Sequence, residues 1–92
     1  MKSVADIKRA MVLGSKWKAF HHPFSKDMGI REIGKVMSNQ VAFKTETGSL
    51  SYIDFPKKKD VVFNSPDSFT IFYTDDVNRG KPEAVLTYER VI

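Results

Sequence analysis

Two adjacent histidines, His21 and His22, are the residues best suited by type to proton transfer or metal ligation near neutral pH. Neighbouring residues of a strand point to opposite faces, so the pair cannot chelate one ion while the strand stays regular. No cysteine and no acid-x-x-His spacing completes a site. The expectation is a structural strand-end pair ahead of Pro23. The acids Asp75, Asp76 and Glu83 lack the spacing of a calcium loop and lie among Arg79 and Lys81, which oppose a cation. Gly14-Ser15-Lys16 has the letters of a phosphate loop but follows a predicted helix instead of opening one, and no Gly-x-Ser-x-Gly elbow occurs. No catalytic residue, metal site or cofactor is predicted, and the chain reads as a non-enzymatic binding module.

Charge is more informative than any motif. Residues 1–46 hold nine basic and four acidic groups, whereas residues 47–92 hold six and seven, so the positive potential sits in the first half. Lys57-Lys58-Lys59 adds a second concentration after Pro56. If the first strand and this triplet meet, Lys16, Lys18, Lys57, Lys58 and Lys59 form one basic surface. Trp17 or Tyr52 is then the stacking platform for unpaired bases of DNA or RNA. Alternation places Trp17 on the face opposite Lys16 and Lys18, which favours Tyr52. A lysine triplet after a strand also serves as a solvated edge, and large aromatics must also fill a core.

The elements that position these residues follow from spacing. Ser3 is a capping residue, Asp6 an acid three positions on, and Val4, Ile7 and Met11 recur at helical intervals, predicting a helix over residues 4–12 ended by Gly14. Short strands follow: 15–22, then a polar loop through Gly29, then 30–37 with a bulge or close approach at Gly34. Next come 41–45, a hairpin turn at Thr47-Gly48, and 50–55, whose two alternating sets are both apolar and suggest a central strand. Strands at 61–64, 68–74 and 84–91 complete the series, with a polar loop over 75–82. The predicted core is Ile7, Met11, Trp17, Val36, Val41, Phe43, Leu50, Ile53, Phe69, Ile71 and Leu86.

One short N-terminal helix followed by six or seven short strands predicts an α+β, mostly antiparallel β fold. The strands would form a small SH3-like or OB-like barrel or half-barrel, with a flatter sheet carrying the helix on one face as the alternative. Its 92 residues fit a single domain, 1–92. With neither a secretory apolar stretch nor an apolar run of spanning length, a cytoplasmic location without membrane contact is expected.

The order of Ser3–Met11, Gly14-Ser15-Lys16-Trp17, Arg31–Thr45 and Ser51-Tyr52-Ile53-Asp54-Phe55-Pro56-Lys57 resembles small accessory proteins of phages and mobile genetic elements. The resemblance implies a nucleic-acid or host-protein partner and carries over no functional residues. Two expectations follow: a nucleic-acid-binding accessory module, or a protein-protein interaction module that docks a host or element-encoded partner.

Overall fold

Ser3 caps the helix as its position predicts. In the computed structural model of the chain, which describes residues 1–73 and 83–91, its hydroxyl accepts the Asp6 N–H at 3.2 Å and opens helix α1, Val4–Ala10. Asp6 in turn accepts the Lys2 N–H at 2.9 Å and pairs with Arg9 at 2.6 Å. The Lys2 N–H, seconded by the Arg9 charge, holds this carboxyl below the usual carboxylate range. The helix stops at Ala10, earlier than predicted, and Met11 caps it by donating its N–H to Ile7 O at 2.9 Å. Gly14, at φ +85°, instead turns the chain into the first strand and donates to Ile33 O at 3.0 Å.

Among the described residues seven strands follow: β1 Lys16–His21, β2 Lys26–Val36, β3 Gln40–Lys44, β4 Leu50–Asp54, β5 Val61–Ser65, β6 Ser68–Tyr73 and β7 Glu83–Val91. All pair antiparallel in one sheet of order β4-β3-β2-β1-β7-β6-β5. Strand β2 begins four residues before its predicted start, because Gly29 at φ +75° and a register shift opposite Ala19/Phe20 keep the polar segment 26–29 paired to β1. The loop predicted over 75–82 lies outside the described residues.

The sheet must curl. Its edges, β4 and β5, are consecutive in the chain and joined by residues 55–60, which include a 3₁₀ turn at Lys58–Asp60. Seven strands laid flat would separate the edges by ~29 Å, more than the ~25 Å that this connection reaches when fully extended. The result is a half-barrel, not the flatter alternative, with the connection strapped across its gap.

The core fills the concave side. Ile7, Met11, Trp17, Ile33, Val41 and Phe69 are fully buried, with Phe43 and Tyr88 nearly so. Trp17 meets Phe69 edge to face at a ring separation of 6.0 Å and donates its indole N–H to Ser15 Oγ at 3.0 Å. Ile53, Ile71 and Leu86 pack against this cluster from the rim. Two predicted core residues are exposed: Val36 at 47% and Leu50 at 41%. Val36 shares the face of Val41 but ends its strand, and Leu50 lies on the outer face because Ser51 and Ile53 take the inward positions of β4. That strand is an edge and not the central strand its composition suggests. Gly34 marks the predicted bulge, the register shifting between Ile33 and Lys35, and Gly48 at φ +83° makes the predicted hairpin turn.

Candidate functional site

The strand order separates the two lysine groups. β1 is the middle strand, three places from either edge, whereas Lys57–Lys59 ride on the strap between the edges. Lys16 and Lys18 therefore lie on the side of the half-barrel opposite the triplet, and the single basic surface expected from the sequence does not form. Each is also matched by an acid: Glu32 stands opposite Lys16 and Glu89 opposite Lys18. Glu32 accepts from Lys44 Nζ at 2.6 Å, and that bond, with the charges of Lys44 and Lys16, holds its carboxyl below the usual range. Trp17 is fully buried and presents no ring to a base.

The strap gathers a different set of cations. Lys57, Lys58 and Lys59 are exposed, with no ion pair among the described residues, and Lys8 of α1 holds its ammonium 5.4 Å from the centre of the Phe55 ring at the root of the strap.

Tyr52 is 44% exposed on the outer face of β4. The Phe55 N–H donates to Asn39 O and the Thr45 N–H to Ser49 O, both at 3.0 Å. Antiparallel pairs alternate in bonding, so Val41/Ile53 and Phe43/Ser51 are the bonded pairs between these positions. The N–H and C=O groups of Leu50, Tyr52 and Asp54 consequently face away from β3, along the open edge. No family model matches the chain, and neither a curated protein nor a solved structure does.

The histidines divide between the faces as strand geometry requires. His21 turns inward and stacks on Phe24 at a ring separation of 5.1 Å, while His22 turns outward. His22 Nε2 lies 2.7 Å from Thr87 Oγ1, the near end of a polar ladder that runs on through Thr70 (2.8 Å) to Asn64 (2.8 Å). This ladder satisfies the hydroxyl of Thr70, which is buried although Phe69 holds the inward position. Among the described residues no three His, Asp or Glu side chains gather around a cation position, and no helix is long and apolar enough to cross a membrane.

Helix α1 contributes Ile7 and Met11 to the core, and beside that core a cavity of about 140 Å³ remains. Ala19, Met28, Phe43, Ile53 and Leu86 give it apolar walls, while His21, Arg31, Ser51 and Tyr88 supply polar groups. Sequence reasoning missed Arg31 and Tyr88. The available signal was that Arg31 alternates with Ile33, so that one inward phase of β2 carries a charge.

Proposed function

We propose that the chain is a small non-enzymatic binding module that docks an extended segment of a protein partner by strand addition along β4. The carrying observation is the row of outward-facing peptide groups at Leu50, Tyr52 and Asp54, which have no backbone partner among the described residues. Edges of this kind are commonly blunted by lysine, proline or a covering element, and Leu50–Asp54 contains neither residue. The first and seventh strands of an antiparallel sheet point the same way, so β4 and β5 cannot complete an antiparallel ladder with each other. An incoming strand running opposite to β4 can. Exposed Leu50 and Tyr52 offer it apolar contact on the outer face. An accessory role in a phage or mobile genetic element, and a cytoplasmic location, belong to the same proposal.

Selection of peptides from a random library against the full chain tests this reading. Binders should carry apolar residues at alternate positions and slow amide exchange at Leu50, Tyr52 and Asp54. They should lose affinity for Tyr52→Pro, which removes one outward N–H, at little change in melting temperature. An empty selection, or binders that protect no β4 amide, overturns it.

A second reading, nucleic-acid binding, is favoured by the three consecutive lysines of the strap, which have no ion pair among the described residues. Here Lys57–Lys59 neutralise phosphates of DNA or RNA beside Tyr52, with Lys8 in support, and Lys16, Lys18 and Trp17 take no part. An anisotropy titration should then give a salt slope that flattens by ~0.7 for each phosphate that Lys57–Lys59→Ala leaves without its cation. Changing Lys16 and Lys18 to Ala should leave it unaltered. Absence of binding at tens of micromolar protein in low salt removes this reading.

A further inference from the structure

The lumenal cavity differs from a packing defect in its chemistry. Among the described residues its lining contains one permanent cation, Arg31, and the potential donors His21, Ser51 and Tyr88, with no Asp or Glu. Arg31 has no ion-pair partner within 4.0 Å among the described residues. Asp27, Glu32 and Glu46 line two neighbouring depressions that Arg31 also borders, and Glu32 is already engaged by Lys44. A half-buried arginine with no ion pair among the described residues, at the rim of an apolar chamber, is matched by an anion carried on an apolar body.

Volume narrows the class. The cavity's 140 Å³ is close to that of an apolar cavity that admits a single benzene ring, ~150 Å³. The stacked rings of Phe43 and Tyr88, both almost fully buried, form a rigid wall, and His21, whose ring carries the 80% exposed Phe24 against it, lines the chamber together with exposed Ser51. A phosphate would leave the apolar walls unfilled, and a neutral hydrocarbon would leave Arg31 unanswered. We propose that this cavity binds a small apolar carboxylate of about the size of benzoate, its ring among Ala19, Met28, Phe43, Ile53 and Leu86 and its carboxylate on Arg31. His21, Ser51 and the Tyr88 hydroxyl are the further donors. This site is separate from the outward edge of β4, although Ser51 and Ile53 of that strand line it from within.

Titration of the full chain with benzoate and with benzyl alcohol, followed by methyl and amide NMR, tests the assignment. Shifts should centre on Ala19, Met28, Ile53 and Leu86, and benzoate should bind about tenfold or more tightly than the alcohol, the value of a charge-assisted pair. Arg31→Met should abolish that preference while the alcohol still binds, which also reports that the chamber is intact. Ser51→Phe, which fills the chamber from an edge strand, should remove both ligands. The proposal is overturned by absence of shifts at millimolar benzoate, by shifts centred elsewhere, by equal affinities for the two probes, or by an Arg31→Met variant that keeps the preference.

Discussion

The rings of Phe43 and Tyr88 stack 5.4 Å apart and within 4° of parallel, although β3 and β7 stand three places apart in the sheet. In a flat sheet their strands would be ~14 Å apart, so this contact exists only because the sheet curls. Phe43→Ala should therefore cost ~3–5 kcal/mol in chemical denaturation, as a buried aromatic that also holds the curl. Leu50→Ala, on the exposed outer face, should cost no more than ~1 kcal/mol. Equal losses would mean that the inner and outer faces of the sheet are misassigned.

Helix α1 should prove to be part of the same core. Ile7 and Met11 are fully buried, and either change to Ala should cost ~2–5 kcal/mol. Ser3→Ala, which removes only the cap, should cost ~1 kcal/mol. Melting temperatures untouched by Ile7→Ala and Met11→Ala would separate the helix from the core.

Gly34 leaves no room for a side chain. A Cβ there would approach Leu50 Cδ2 and Lys44 Cγ to 2.9 Å each. Gly34→Ala should destabilise by ~1–3 kcal/mol, and Leu50→Ala should relieve part of that loss because one of the two obstructing atoms goes with it. A double-mutant cycle measures the coupling. Strictly additive losses would rule out the contact as the cause.

Burial pushes the Tyr88 phenol up to about 12, with the charge of Arg31 pulling the other way. The folded state therefore holds this proton more tightly than the unfolded chain, whose tyrosines titrate near ~10. The stabilisation is fully present below pH ~10 and is lost as the pH rises towards ~12, an alkaline loss of roughly 2–3 kcal/mol. The informative comparison is with Tyr88→Phe, which removes this one proton. That variant should lose less stability between pH 9 and 11.5, read from parallel denaturation curves.

What the sequence disclosed was local. The Ser3 cap, the bulge at Gly34 and the turn at Gly48 each rest on one residue's own conformational demands, and each lies where predicted. The inward set of β6 was legible too, since Phe69 and Ile71 alternate with polar Thr70. The faces of β4 were not, because Leu50/Tyr52 and Ile53/Phe55 are both apolar and periodicity cannot choose between them. Nor was the failure of Lys16 and Lys18 to meet Lys57–Lys59. That depends on which strands become neighbours, and β1 sits at the centre only because β7, far along the chain, pairs with it. The chemistry of the cavity was hidden for the same reason, as Arg31 and Tyr88 come together only through that pairing.

The position of β7 also bears on how the molecule assembles. Strands β1 to β4 form one hairpin series and β5 with β6 another, and β7 alone joins them, bonded to β1 on one side and β6 on the other. Neither series can bury its apolar face until Lys16 has found Val91 and His21 has found Leu86, which requires closing nearly the longest loop the chain offers. Folding is thus expected to be slow for so small a chain and to proceed in a single cooperative step. The amides of β1 and β7 should exchange only through global opening, while those of β4 fray ahead of it.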